Sequence, residues 1–431
     1  MSTTILSALR WLEEPSKISI NQNGDSLKTY YQVTAPRDIA ALCKGRPAEE
    51  LPRILSILSP SHHIASAKAL DNLFGIRIPT TAENIRKALG ETLTFIHHSR
   101  KLLFLLSSST NPLGHREDFR RLAPSLPRRT GDEIMKGMAL FEESASILGG
   151  RYPHPVTVIA GGVSRPLKEV HCRRLREIGQ TCLPYALRLR DIFAQTVIGN
   201  GWYKAMDLPF RPIASITSSQ TEDGVVTTDP TGAESARFTP DKTLDVLEIV
   251  SEPWTYLPFV CVKGKTWEGP VSAKTDGLFF VGPLARLNRC KPVETPLAEE
   301  ERQRLISSLG PAPHFSAIAG YWSMLVELIE SAERSRELFS EEKLSGAETR
   351  VVATRPGRHG LAAFEAPEGF VYHRYQVDER GLVEEVSVLD AASHNNGLRS
   401  FLTQRIVEEA IACKQPWDQA KKTIELSLVP F

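Results

Sequence analysis

Apolar residues recur at helical spacing along much of this chain. The first long stretch opens at Thr80, which forms a capping-box pattern with Glu83. Its apolar positions share one helix face: Ile85, Leu89, Leu93, Ile96, Leu103 and Leu106. The same periodicity predicts further helices over residues 131–148, 166–199, 299–309, 315–338 and 397–423. The hydrophobic pattern therefore predicts a largely helical protein.

Strand-like patterns are short by comparison. Ile18–Ile20 and Leu27–Val33 flank a polar turn at Asn21–Asp25, which predicts a two-strand hairpin behind a weakly amphipathic N-terminal segment. Residues 246–250 and 259–262 are also strand-like, and residues 213–242 have the composition of loops and short strands. These patterns add small sheets to the helical core.

Composition places the chain among globular proteins, because 41% of its 431 residues are hydrophobic and 24% are charged. A net charge of +1 gives no indication of a nucleic-acid or strongly acidic partner. Glu13, Glu14 and Lys17 interrupt the N-terminal region, so no secretory signal is predicted. The longest apolar run, Leu102–Leu106, is far shorter than the ~20 residues of a membrane span. These features predict a soluble cytoplasmic protein.

Six cysteines are spread along the chain: Cys43, Cys172, Cys182, Cys261, Cys290 and Cys413. None forms a Cys-x-x-Cys pair, so a zinc or iron–sulfur site built from local pairs is not predicted. We interpret these cysteines as buried or idle reduced thiols.

The most informative stretch is Arg53–His62, which reads Arg-Ile-Leu-Ser-Ile-Leu-Ser-Pro-Ser-His and runs into a helix predicted over residues 64–74. Ser59 stands at an N-cap position. Pro60 follows at the first helical position, where its missing N–H costs nothing. By itself, this stretch is a short apolar strand or turn that enters a helix.

Further sequence blocks follow in a fixed order: Ala69-Leu70-Asp71, Gly150–Val163, Val281–Asn288, Thr295–Ala298, Ala363–His373 and Ala391–Asn396. Tyr375, Val377, Asp378 and Gly381 extend the fifth block. In the second block, Gly161-Gly162 predicts a tight turn with positive φ. His154 stands between two prolines, and we interpret it as a structural hydrogen bonder in preference to a metal ligand.

Taken together, these blocks resemble the large subunits of [NiFe]-hydrogenases over nearly the whole chain. Arg53–His62 is similar to the family's Arg-Ile-Cys-Gly-Ile-Cys-Pro-x-Ser-His, and Ala391–Asn396 resembles the cytoplasmic, cofactor-coupled members. The resemblance implies a mainly α fold with small antiparallel β-sheets (α+β), a hydrogenase large-subunit-like helical bundle. We expect one domain over 1–431, divided into an N-terminal hairpin region (1–50), a helical core (51–205), a mixed loop and strand region (206–295) and helices with a β segment (296–431).

The family's metal-binding residues do not carry over. Leu55 and Leu58 stand where the family has two cysteine ligands, and Ile424–Phe431 lacks the family's C-terminal cysteine pair and final His. Glu368 replaces an Arg that lies over the metals, and Asn21–Asp25 replaces a segment whose Glu is thought to carry protons. Because a nickel–iron centre needs four thiolates, the resemblance implies neither a cofactor in this chain nor hydrogen chemistry of its own.

The emptied metal pocket would then need other occupants. Leu55 and Leu58 can fill part of it, and full burial of each contributes ~1.5–3 kcal/mol. We expect the vestigial cavity to involve His62, Glu368, Arg53 and Ser59, with His62 and Glu368 as candidate partners of each other. The remaining cavity is a candidate site for another small molecule.

The resemblance also implies what remains of the function. In the family, the face that docks the iron–sulfur small subunit lies near the metal site, and the same fold serves without metal in respiratory complex I. We therefore expect a metal-free component of a cytoplasmic redox complex. Its implied partners are an iron–sulfur small subunit, together with flavin, NAD(P) or other redox subunits. Two alternatives stay open: a maturation scaffold for the iron–dicyanide–carbonyl group, and an inert structural subunit.

Overall fold

The computed structural model describes residues 2–9, 14–24, 26–36, 38–110, 128–199, 213–219, 224–265, 269, 277–289 and 291–431. Asp25 and Cys290, for which the sequence makes predictions, lie outside these residues.

Long helices carry the core of the molecule. The described helices are α1 (Ile39–Cys43), α2 (Leu51–Leu55), α3 (Pro60–Leu73), α4 (Thr80–Thr110), α5 (Arg128–Gly149), α6 (Glu169–Phe193), α7 (Thr243–Val246), α8 (Pro283–Leu287), α9 (Pro296–Leu309), α10 (Ala317–Leu338), α11 (Glu341–Leu344), α12 (Ala391–Ala412) and α13 (Trp417–Leu428). None of these helices combines the length and the apolar character that crossing a bilayer requires.

Small sheets lie between and beside the helices. The described strands are β1 (Ser2–Leu9), β2 (Ser16–Asn23), β3 (Ser26–Val33), β4 (Val158–Ile159), β5 (Gly162–Val163), β6 (Ala214–Ser219), β7 (Gly224–Thr228), β8 (Glu234–Phe238), β9 (Leu247–Val250), β10 (Phe259–Val262), β11 (Phe279–Phe280), β12 (His359–Ala366), β13 (Gly369–Val377) and β14 (Val383–Leu389). They form the sheets β1-β2-β3, β12-β13-β14, β11-β6-β7-β8, β9-β10 and β4-β5. Pairing is antiparallel except between β11 and β6, which run parallel.

Helix α10 lies at the centre of the bundle and packs against both α4 and α6. The sequence predicts one apolar stripe on this helix, but the structure buries almost its whole circumference over the first three turns. Ile318, Leu325 and Ile329 are completely buried there. A helix covered on all sides belongs to the interior of a large core, which explains why α10 is rich in small and apolar residues.

The N-terminal region differs from its sequence prediction. The hairpin of β2 and β3 is confirmed, but the weakly amphipathic segment before it is also a strand, β1, which pairs antiparallel with β2. Leu6 and Leu9 of β1 are buried. Tertiary pairing decides the structure here, because the segment is too irregular to show a clear period of two.

A buried ion pair joins two of the sequence blocks to helix α4. Arg86 of α4 forms a salt bridge with Asp71 of the Ala-Leu-Asp block. The Arg86 guanidinium also donates to the carbonyl oxygens of Ile159 (2.7 Å) and Gly162 (3.0 Å), and the Gly161 N–H donates to Asp71 Oδ1 at 2.7 Å. Asp71 and Arg86 thus fix the β4–β5 turn against α3 and α4.

The β4–β5 turn requires glycine at Gly161. Its φ of 81° lies in the left-handed region, and a Cβ atom added there would meet the carbonyl oxygen of Val351 at 2.0 Å. The Val351 N–H in turn donates to the Gly161 carbonyl at 2.9 Å. The predicted positive-φ turn is confirmed, and close backbone contact is a second reason for the glycine.

Gly161→Ala should lower the free energy of unfolding by at least about 3 kcal/mol, because left-handed strain and a backbone clash add together. Gly75→Ala is the matched control, since Gly75 has a φ of 62° but open space around its Cα. It should cost only about 1–2 kcal/mol. Denaturant unfolding of both variants measures the difference, and equal losses would refute the clash.

Candidate functional site

The Arg53–His62 stretch forms the end of α2, a short turn and the start of α3. Ser59 is the N-cap residue of α3, as predicted, but its side chain does not cap the helix. Leu55 is buried, and the half-buried Leu58 packs against the same apolar cluster. The two positions that carry metal ligands in the family therefore contribute to hydrophobic packing.

The apolar cluster that takes up Leu55 and Leu58 lies between α1, α3 and the β12-β13-β14 sheet. Its other buried members are Cys43, Ala48, Leu51, Ala69, Leu70, Leu73, Ala160, Ala362, Tyr375, Val377 and Val383. Burial raises the pKa of the Cys43 thiol to about 11, so this thiol stays protonated at neutral pH. The cluster offers no thiolate.

His62 begins a buried chain of hydrogen bonds that crosses from α3 to β13. Its Nδ1 lies 2.9 Å from Nε2 of His373. Nδ1 of His373 lies 2.5 Å from the Tyr375 hydroxyl, which donates to Oγ of Ser66 at 2.8 Å. Helical spacing places His62 and Ser66 on one face of α3, and strand alternation places His373 and Tyr375 on one face of β13.

Burial keeps His373 and Tyr375 neutral. It lowers the pKa of His373 well below the ordinary value and raises the pKa of Tyr375 well above it. Because Tyr375 donates to Ser66, His373 must donate its Nδ1 proton to Tyr375 and accept the Nδ1 proton of His62. All bonds therefore point from His62 towards Ser66, which makes the chain a fixed structural element.

The structure gives Glu368 and His62 different hydrogen-bond partners: Ser61 Oγ donates to Glu368 Oε2 at 3.3 Å, and His62 contacts His373. Arg53, a further predicted cavity residue, is exposed. Arg53 lies on the outer side of α2, opposite the buried Leu55.

A small cavity lies beside Glu368. Its volume is about 10 Å³, which is close to the room that one water molecule needs. The lining residues come from six parts of the chain: His97, Lys101, Pro283, Met324, Glu368, Ala391, Arg399, Val429, Pro430 and Phe431. Lys101 donates to the Val429 carbonyl at 3.1 Å, so the last residues of the chain are packed into this region.

Arg286 forms the strongest charged contacts near the cavity. Its guanidinium binds both carboxylate oxygens of Glu327, at 2.6 and 2.7 Å, and also bonds Glu365. Burial alone would raise the pKa of Glu327, but Arg286 and His98 bring it down to about 2. Burial dominates at Glu365 and raises its pKa, although Arg286 and the Ser218 N–H at 2.6 Å favour its charged form.

The Ala391–Asn396 block also binds neighbouring segments of the chain. Asn395 accepts from the Val281 N–H at 2.9 Å and donates to the Val281 carbonyl at 3.3 Å. His394 is buried, stacks on the Phe370 ring and bonds the Phe370 carbonyl through Nδ1 at 3.0 Å. Burial lowers the pKa of His394 to about 4, which keeps it neutral. These residues have structural roles.

Two further histidines bind the Arg53–His62 stretch to its surroundings. Buried His63 donates from Nδ1 to the Pro52 carbonyl at 2.8 Å and accepts the Val158 N–H on Nε2 at 3.0 Å. The exposed His154 lies with Nδ1 3.2 Å from the Ser56 carbonyl. The interpretation of His154 as a structural hydrogen bonder is confirmed. The sequence pattern did not distinguish His63.

Known proteins are similar to this chain in sequence and in fold. An F420-non-reducing hydrogenase vhu subunit of Methanocaldococcus jannaschii is 27% identical, over 92% of this chain and 96% of that protein. An F420-non-reducing hydrogenase iron-sulfur subunit of Archaeoglobus profundus is 26% identical, over 97% of this chain and 90% of that protein. No protein-family model matches the chain.

A solved structure of an NAD+-reducing [NiFe]-hydrogenase in the H2-reduced state has the same architecture. It aligns with a TM-score of 0.84 at 21% sequence identity, over 100% of this chain and 97% of that chain. The predicted resemblance to the large subunits of [NiFe]-hydrogenases is supported by these relatives over nearly the whole chain. The predicted mainly α fold class with small sheets is confirmed.

The residues at the two matched ligand positions do not fit a thiolate-bound nickel–iron centre. Leucine supplies no ligand atom at positions 55 and 58, and Ile424–Phe431 contains no cysteine. Cys43 is buried in the leucine cluster as a protonated thiol. In the part of the chain that the structure describes, no group of three or more His, Cys, Asp or Glu side chains could hold a metal ion.

Sequence reasoning missed the partners that complete the site. His373 and Tyr375 enter the sequence argument only as motif positions, although their alternation on a predicted strand already places them on one face. Arg286 and Glu365 gave no such signal, because their contact joins residues far apart in the chain.

Tyr375→Phe should lower the free energy of unfolding by about 1–3 kcal/mol, because it leaves buried His373 and Ser66 without their shared partner. Tyr372→Phe is the matched control on the same strand. The Tyr372 hydroxyl is buried without a hydrogen-bond partner among the described residues. Its removal should change the stability by less than about 0.5 kcal/mol. Equal effects in denaturant unfolding would contradict the hydrogen-bond chain.

Proposed function

We propose that this chain is a metal-free, large-subunit-like component of a multisubunit cytoplasmic redox complex. In this proposal it performs no hydrogen chemistry of its own, but docks an iron–sulfur small subunit. Iron–sulfur clusters, with flavin in a further subunit, reside in its partners. The chain contributes the framework against which the electron-carrying partner is held.

The observation that carries the proposal is the fate of the two ligand positions. Leu55 and Leu58 pack into an apolar cluster, while the polar contacts of the surrounding blocks persist around Asp71, Arg286 and Asn395. Selection on a hydrogen-splitting site would retain the thiolates. Retention of the framework without them supports a role in assembly and electron transfer.

The surface of the Arg53–His62 stretch supports a docking role. Ile57 lies in the turn between α2 and α3 with 58% of its surface exposed, and Arg53 is exposed before it. The β4–β5 turn joins this region to Val351 and Val352, which are 41% and 68% exposed. Exposed aliphatic side chains beside arginine are typical of protein–protein contact surfaces.

The maturation-scaffold alternative requires thiolates that hold an iron group. Cys43 lies in the same apolar cluster as Leu55 and Leu58, and burial raises its pKa enough to keep it protonated. This chemistry weighs against a scaffold for the iron–dicyanide–carbonyl group. An inert structural subunit would share the docking surface and differ only in the absence of electron carriers from its partners.

The test is purification of the tagged chain from its native source under anaerobic conditions. We expect a hydrogenase-small-subunit-type protein to co-purify, with iron and acid-labile sulfide in the complex. Ile57→Asp should reduce recovery of this partner at least about 10-fold, because a charge would be buried in the contact. Val170→Asp is the control, since Val170 on α6 is also 58% exposed.

A native complex without any small-subunit-type partner would refute the proposal. A partner without iron–sulfur clusters would favour the structural alternative. Equal recovery with Ile57→Asp and Val170→Asp would show that the docking surface lies elsewhere.

A further inference from the structure

Three segments that meet at the β4–β5 turn and beside it carry only one sign of charge. They are the Arg53–His62 stretch, residues 150–165 and residues 349–359, and none of them contains Asp, Glu or Lys. Their arginines are all exposed: Arg53, Arg151, Arg165, Arg350, Arg355 and Arg358. Because the whole chain has a net charge of only +1, these segments concentrate positive charge locally.

Hydrogen bonds hold the three segments next to one another. The Val351 N–H donates to the Gly161 carbonyl at 2.9 Å, which joins the third segment to the second. Nδ1 of His154 lies 3.2 Å from the Ser56 carbonyl, which joins the second segment to the first. The three segments therefore form one connected region, and we call its exposed surface the arginine face.

Most guanidinium groups of the arginine face have no carboxylate partner within the described part of the chain. Arg358 forms a salt bridge with Glu384 at 3.3 Å, and the other five arginines form none there. By contrast, the half-exposed Arg304 on α9 contacts Glu300 at 2.5 Å. Like charges held on one surface repel each other, and an acidic partner would offset this repulsion.

The arginine face also exposes aliphatic side chains, namely those of Ile57, Val351 and Val352. A paired strand would turn one of two consecutive residues inwards, but Val351 and Val352 are both exposed. Protein interfaces are enriched in arginine and depleted in lysine, as this face is. A nucleic-acid backbone would match the arginines but offers no apolar surface to the aliphatic side chains.

We propose that the arginine face binds an acidic protein surface, whose carboxylates pair with the five uncompensated arginines around a contact with the exposed aliphatic side chains. This inference rests on the proposed docking function and adds the charge of the partner's surface. Arginine suits this role because its planar guanidinium binds a carboxylate through two parallel hydrogen bonds. The positive charges also steer an acidic partner before contact, which raises the rate of association.

The test compares charge variants of the full chain, each tagged and purified from its native source with its partner bound. Arg350→Glu combined with Arg355→Glu should reduce recovery of the partner at least about 10-fold at low salt, because like charges would then face each other. Arg350→Lys combined with Arg355→Lys keeps the charge and should recover more partner than the Glu variant.

The matched control is Lys28→Glu combined with Lys263→Glu. Both lysines are exposed, one on β3 and one just after β10, and the change in net charge is the same as in the Glu variant. The control should recover as much partner as the wild-type chain. A loss that is confined to the arginine face would then reflect local charge and not the net charge of the protein.

Salt gives a second readout, which a purely structural role of the arginines would not move. The Debye length falls from about 10 Å at about 0.1 M salt to about 3 Å at about 1 M. The wild-type chain should therefore lose partner progressively as salt rises over this range. The difference between the wild-type chain and the Glu variant should become smaller at the same time.

Equal recovery of the partner by the Glu variant and the control would overturn this inference and leave the proposed docking function standing. Wild-type recovery that salt does not lower would also overturn it, whether or not the Glu variant folds. Nucleic acid that only the Glu variant loses, with protein recovery unchanged, would assign the face to nucleic acid instead. A wild-type preparation without any small-subunit-type partner would refute the proposed function, and this inference with it.

Discussion

The guanidinium of Arg286 holds together the parts of the chain on which the rest of this fold depends. It joins α8 to Glu327 of the central helix α10 and to Glu365 at the end of β12. It also donates to the carbonyl oxygens of Ala366 and Pro367, each at 3.1 Å. Removing one partner of such a buried charged group typically costs about 3–5 kcal/mol, since the other charge is left uncompensated.

Buried polar contacts also hold the other sequence blocks in place. Asn395 binds Val281, just before α8, and His394 binds Phe370 of β13. Asp71 and Arg86 do the equivalent at the β4–β5 turn. Each contact satisfies buried backbone groups that no metal would satisfy. These motifs therefore have structural roles in this fold.

The sequence predicts the helical core, the β2–β3 hairpin and the superfamily well, because periodicity and ordered blocks are local signals. It predicts less about contacts between distant segments. The strand at Ser2–Leu9, the burial of His98 and the partners of His62 and Glu368 all depend on tertiary packing. The exposure of Arg53 was also not predictable, since a motif position does not reveal which side of a short helix faces solvent.

The leucines at positions 55 and 58 match their apolar surroundings. Leu55 and Leu58 pack in a cluster with Cys43, Leu70 and Tyr375. A region of this composition is suited to packing.

The most direct test of the central claim is elemental analysis of the complex purified from its native source without added metal. The account predicts nickel far below one atom per chain, with iron present only in proportion to the clusters of the partner subunits. Stoichiometric nickel bound to this chain, or hydrogen splitting by the isolated chain, would contradict it.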